Sequence, residues 1–276
     1  MDPMTHPLWL ALLAGAMAVT GLFSGLLAGL LGVGGGIVIV GVLFAIFPIF
    51  GIPEAIMMKL AVGTSLATII PTSIQSARKH HARGTMDLPL LRSIWPSIMV
   101  GVLLGTILAI NLRGQVSTIV FATIALAVAI NMGFSGAEFR LRESFPQGWV
   151  RQAIGGFIGT VSAMMGIGGG TVGVPILTAL GAPIRSAVST ASVFGLIISI
   201  PGTIGFIWGG WDDPRLPPFS LGYVNLVGVA LIVPASMVAA PWGVTLAHTI
   251  PPLLLKRAFA VFLAVTSLRM FYSLVV

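Results

Sequence analysis

The segment Gly32-Val33-Gly34-Gly35-Gly36 returns as Gly166-Ile167-Gly168-Gly169-Gly170, each time inside an apolar stretch that otherwise reads as helix. Three glycines in a row remove side-chain bulk and open positive φ to the backbone. A helix passing through such a segment is expected to break. The chain is therefore constrained twice over: it reads as a duplication, and each half is interrupted at the same place.

The surrounding stretches have the length and composition of membrane spans. Hydrophobic residues make up 57% of the chain and charged residues 8%, where soluble domains carry roughly 25% charged residues. Apolar runs of about 20 residues, enough to cross hydrocarbon, recur from Leu8 onward. Met1 to Pro7 contains no Lys or Arg, so it lacks the basic start of a cleaved signal peptide, and the first span is expected to be retained. With 0 cysteines, disulfides, thiol catalysis and cysteine-held metals are excluded. The formal net charge is +7. Its plainer reading is loop charge that sets topology, and its sharper reading is a field that favours anions.

The duplication extends beyond the glycines. At an offset of 126, Ala61-Val62-Gly63-Thr64 falls on Ala187-Val188-Ser189-Thr190. At an offset of 138, Gly84 to Phe134 falls on Gly222 to Tyr272 without a gap, aligning Pro96 with Pro234 and Gly105 with Gly243. The pattern predicts helical segments near 8–31, 36–50, 56–77, 88–111 and 115–135, then 151–166, 170–181, 186–209, 222–248 and 252–275. The expected fold is an all-α polytopic membrane protein with two inverted repeats of about five helical segments each. Residues 1–135 form the first repeat, 136–150 a cytoplasmic linker and 151–276 the second repeat. Segments 36–50 and 170–181 are short for a full crossing, so the spans number eight to ten.

Loop charge supports the inverted arrangement. Placing the basic loop Arg78-Lys79-His80-His81-Ala82-Arg83 in the cytoplasm puts Arg140, Arg142, Arg151, Arg185, Lys256 and Arg257 on the same side. Only Lys59, Arg113 and Arg215 then fall opposite, which satisfies the bias of Lys and Arg toward the cytoplasm with both termini outside. The same bias argues against a nucleic-acid patch at 78–83.

At membrane depth, broken backbone survives only where protein or water satisfies it. A helix restarting after a break points its positive dipole end and free N–H groups at whatever lies there. Two such breaks offer an anion site built from Gly34, Gly35, Gly36, Gly168, Gly169 and Gly170. The alternative is close helix packing through small residues; recurrence at equivalent positions favours the site. Hydroxyls of Thr64, Ser65, Thr190 and Ser192 are further candidates, since a hydroxyl can donate to an oxyanion, or else bond back to its own helix. Thr64, Thr68 and Gln75 share one helical face by spacing. Lys59 can attract an anion or extend to the interface. A dinucleotide fold is disfavoured, because the glycines lack a strand and a βαβ setting.

What is missing also narrows function. The seven acidic residues all fall at expected helix ends or loops, so no carboxylate stands deep in the membrane, where proton-coupled carriers often keep one. No nucleophile–base set or metal-spaced cluster lies within a span, which speaks against an enzyme and gives no cofactor.

Together, the Gly25–Gly36 stretch, Ala61-Val62-Gly63-Thr64-Ser65-Leu66, the basic loop ending at Gly84 and the diverged repeat resemble the sulfite exporter TauE/SafE family. The resemblance covers nearly the whole chain. The second half departs from the Thr-Ser pair, carrying Thr190-Ala191-Ser192. The resemblance implies a multi-pass protein of the bacterial inner membrane that exports a small sulfur-containing anion, sulfite or an organosulfonate such as sulfoacetate. Partners would be that anion and the lipid bilayer. Coupling to a proton or sodium stays open, as does a gated anion channel.

Overall fold

The computed structural model describes residues 7–31, 35–82, 84, 86–134, 145–249 and 252–274. Ten α-helices run in order: α1 (Pro7–Leu31), α2 (Gly36–Ile46), α3 (Glu54–Ala82), α4 (Leu88–Asn111), α5 (Gly114–Phe134), α6 (Trp149–Met165), α7 (Gly170–Ala179), α8 (Ile184–Gly209), α9 (Leu226–Thr249) and α10 (Pro252–Tyr272). A 3-10 turn, Phe47–Phe50, follows α2, and a two-stranded hairpin, β1 (Ser220–Leu221) with β2 (Val224–Asn225), precedes α9. The linker expected at 136–150 lies outside the described residues as far as 144.

Two boundaries differ from expectation for physical reasons. Helix α3 continues to Ala82 rather than stopping at 77. Arg78, Lys79 and Ala82 are good helix formers, so residues 78–82 of the basic run are helical rather than loop. The helix expected from 222 begins only at Leu226, because Gly222, at φ 53°, turns the hairpin in its place.

Among the described residues, four helices (in α3, α4, α5 and α8) are long and apolar enough to cross a membrane. Side chains such as Val100, Leu103, Leu104 and Ile107 on α4 and Val261, Val265 and Leu268 on α10 face outward. A water-soluble protein would not expose such stripes; lipid accepts them. Trp149 opens α6 at one end of the bundle, and Trp208 and Trp211 mark the far end of α8, all exposed, as interfacial aromatic anchors should be. The chain is an all-α multi-pass membrane protein.

Packing runs between the five helices α1–α5 and the five helices α6–α10. Helix α1 packs on α9, and α6 packs on α4. The first helix of each half thus lies against the fourth helix of the other. Helix α3 pairs with α8 and α5 with α10, while short α2 and α7 lean on α3 and α8. Glycines let these backbones close: a Cβ on Gly21 would stand 2.6 Å from the Ile232 carbonyl oxygen, and one on Gly101 would meet the Gly156 carbonyl oxygen. Small residues at crossings are the means by which membrane helices gain contact when lipid gives no hydrophobic drive.

Candidate functional site

The two glycine breaks meet. Gly35, in the left-handed region at φ 68°, ends the first break, and α2 starts at Gly36. In the second half, α6 stops at Met165, Gly166 turns left-handed at φ 65°, and α7 restarts at Gly170. A Cβ on Gly36 would lie 2.9 Å from the Gly166 carbonyl oxygen and 3.1 Å from Ile167 Cα. A Cβ on Gly166 would lie 2.8 Å from Val62 Cα. Only glycine permits this approach, which sets the start of α2 against the break that precedes α7.

Ser65 stands between the breaks. Its hydroxyl is 2.7 Å from the Gly166 carbonyl oxygen and 3.2 Å from that of Gly36, so one donor serves an acceptor on each side. Ser24 of α1 adds a 3.2 Å bond to the Gly35 carbonyl oxygen. The sequence brings Ser65 here by placing it eleven residues into α3, whose start is fixed by Pro53 and Glu54.

Thr64 and Thr190 hold joints between the halves. The backbone N–H of Asn225 donates to Thr64 Oγ1 at 3.0 Å, and the Asn225 side chain accepts from Gly228 N–H, capping α9. In the other half, Asp87 N–H donates to Thr190 Oγ1 at 3.1 Å, and the Asp87 carboxylate accepts from Leu90 N–H, capping α4. Each threonine of a third helix therefore grips the N-cap of the opposite half's fourth helix. The hairpin glycine Gly222 and its equivalent Gly84 both have positive φ, three residues before these caps.

The remaining sequence candidates divide. Ser192 donates to the Ser189 carbonyl oxygen of its own helix at 2.7 Å, and Thr68 donates to that of Ser65 at 2.6 Å. Gln75 is exposed, ten residues beyond Ser65, or about 15 Å along α3. Gly168 and Gly169 lie in the second break, Gly169 packed on Phe194; Gly34 lies outside the described residues. Lys59 is about 9 Å from Ser65 in the opposite direction, with its ammonium donating to the Ile110 carbonyl oxygen at 2.6 Å and 5.5 Å from the centre of the Tyr223 ring.

Ser199 and Thr203 continue the hydroxyl run that begins at Ser189 in the sequence, and sequence reasoning missed Ser162 beside them. Ser162 on α6 and Ser199 and Thr203 on α8 are buried without a hydrogen-bond partner. Ser162 sits one turn before Gly166, and Ser199 follows Ile198, which packs on Gly169. Orphaned hydroxyls in a low-dielectric interior are costly unless a ligand or solvent uses them. No periodicity marks Ser162 in α6.

On the face opposite the 78–83 run, Asp213 accepts from Arg215 Nε at 2.8 Å and Nη2 at 2.7 Å, and from the Tyr223 hydroxyl at 2.9 Å. The Arg215 fork holds the Asp213 carboxyl well below the usual carboxylate range. Burial, then the neighbouring carboxylate, pushes the Tyr223 hydroxyl up to about 12.

The family model for "Sulfite exporter TauE/SafE" matches residues 17–270. The chain belongs to the TauE/SafE family. A "Probable membrane transporter protein" of Haemophilus influenzae is 37% identical over 265 residues, covering 95% of this chain and 97% of that protein. Another of Methanocaldococcus jannaschii is 28% identical, covering 94% and 96%, and one of Bacillus subtilis is 23% identical, covering 90% and 96%. No solved structure matches. As a TauE/SafE protein the chain is a membrane transporter and not an enzyme.

Proposed function

We propose that this TauE/SafE protein carries a small sulfur-containing anion, sulfite or an organosulfonate such as sulfoacetate, out across the bacterial inner membrane by alternating access. The observation that carries the reading is the meeting of the two glycine breaks at Ser65. The starts of α2 and α7 lie on either side of this contact, where a helix N-terminus favours negative charge, and Ser162, Ser199 and Thr203 are buried hydroxyls without a partner. Such donors suit an oxyanion, which accepts and cannot donate.

The two halves are inverted copies related by a pseudo-two-fold axis, with residues 136–150 linking them in the cytoplasm. The reciprocal packing of α1 on α9 and α6 on α4 and the paired Thr64–Asn225 and Thr190–Asp87 joints support that relation. Rocking of one half on the other would open the breaks to each face in turn. A membrane potential negative inside drives each negative charge outward with about 2.3 kcal/mol per 100 mV, so export requires no coupling ion.

The test is flux in proteoliposomes with an imposed potential and no ion gradient. Saturable sulfite or sulfoacetate flux that follows the potential is expected. Flux only after a proton or sodium gradient is added would replace the uncoupled mechanism with a coupled one. Flux that never saturates would point to a channel.

A further inference from the structure

A second polar site stands apart from the glycine breaks. A pocket of about 430 Å³ opens on the face opposite the 78–83 run and is lined by Glu54, Lys59, Asn111, Arg113, Gln115 and Arg215, among others. It collects the three cations that loop charge leaves on this side. Their clustering is enforced by the fold. Helix α3 begins at Glu54, α4 ends at Asn111 and α5 begins at Gly114. A Cβ on Gly114 would lie 3.2 Å from the carbonyl oxygens of both Glu54 and Ala55, so the starts of α3 and α5 touch.

The local balance favours an anion. Asp213 is committed to Arg215 and Tyr223, which leaves Lys59 and Arg113 facing one carboxylate, Glu54. Among the described residues neither Glu54 nor Arg113 is in an ion pair. Lys59 spends one donor on Ile110 and has two left. In α5, Val116 and Ser117 already donate to the Arg113 carbonyl oxygen, while Gly114 and Gln115 carry first-turn amides at the pocket wall. Desolvation is modest here, so binding is expected to be weak and salt-sensitive.

We propose that this pocket is an outer docking site for a small organic or inorganic oxyanion, held by the Arg113 guanidinium and the Lys59 ammonium at the joined starts of α3 and α5. Resting on the export reading, the site receives the anion after it leaves the breaks and sets the apparent affinity on the outer face. Arg113 is the residue to test, because it is exposed and among the described residues is in no ion pair, whereas the Lys59 side chain also ties α3 to α4.

The chain has 0 cysteines, so Gln115→Cys gives a single reactive thiol at the pocket wall with Arg113 and Lys59 intact. In purified protein, sulfoacetate is expected to slow thiol labelling of Gln115→Cys, and to do so far less for Arg92→Cys at the opposite end of α4. Labelling slowed equally at both positions, or at neither, would overturn the site, and this readout does not require transport. In proteoliposomes, Arg113→Gln is expected to raise the outer-face KM about tenfold with turnover retained, and Arg92→Gln to leave it unchanged. An unaltered outer-face KM in Arg113→Gln would also overturn it. Absence of any flux in the unmodified protein would instead sink the export reading, leaving the labelling result to decide the pocket.

Discussion

The two halves build the same joint and then use their polar groups differently. In both, a third-helix threonine grips the capping residue of the opposite fourth helix. In the first half the hydroxyls along α3 are spent: Ser65 bridges the breaks, and Thr68 and Thr72 bond to their own helix. In the second half Ala191 stands where Ser65 does, and Ser162, Ser199 and Thr203 are buried with their bonds unused. A duplicated fold needs matching joints to stay symmetric, but a site for one small anion does not need matching donors. Thr106 on α4 and Ser117 on α5 are also buried without a partner, so the contrast between the halves is confined to their third helices and the breaks.

The comparison breaks most readily at the contact between breaks. Gly166→Val would force a β-branched residue into positive φ and against Val62, 2.8 Å from the added Cβ. A loss of roughly 2–4 kcal/mol and of all transport is expected, read by thermal unfolding and flux. Gly166→Val with normal flux would remove the close approach from the mechanism.

Ser65→Ala removes the donor shared by Gly36 and Gly166 and should cost about 1–3 kcal/mol, with slower transport at retained membrane insertion. Ser199→Ala sharpens the contrast, because it deletes a hydroxyl with no partner. Stability should hold or rise slightly while the KM for the anion increases. A fall in stability with an unchanged KM would make Ser199 structural and restore equality between the halves.

The caps offer a smaller, symmetric test. Asp87→Ala and Asn225→Ala should each cost about 1 kcal/mol and nearly the same amount. A large inequality in unfolding midpoints would show that the joints are not equivalent. Smallest of all is the loop pair. Its folded carboxyl is depressed below the ordinary 3.8, so the stability it contributes is complete above about pH 5 and is lost as pH falls below about 4. Because Arg215 is half exposed, the effect is at most about 1 kcal/mol. Asp213→Asn should remove that acid-side loss in pH-dependent melting curves.

Much of this arrangement was legible in residue order. The breaks, the ten helices and the 126 and 138 offsets all follow from glycine placement and apolar run length. The 138 offset even aligns Asp87 with Asn225, yet the caps escaped notice because their threonine partners lie more than a hundred residues away. The hairpin was hidden for a different reason. Leu221, Tyr223 and Val224 are apolar enough to merge with the helix that follows, and only Gly222 with Pro217-Pro218 upstream marks a turn. Lys59 is close to Thr64 in sequence, yet it stands about 9 Å from Ser65, because a helix carries each residue about 1.5 Å farther along its axis. Burial without a partner, as at Ser162 and Ser199, is a property of packing and has no signature in one chain.

The sharpest single test is potential-driven sulfoacetate uptake by proteoliposomes holding Gly168→Leu beside the unmodified protein. A first side-chain atom on Gly168 would stand 3.3 Å from Ile69 Cγ2, a tight contact that a small shift of that side chain relieves, and folding and insertion of the variant are verified by thermal unfolding before flux is compared. Saturable flux in the unmodified protein and none in folded Gly168→Leu is the predicted result. Equal flux in both would contradict passage of the anion between the two breaks.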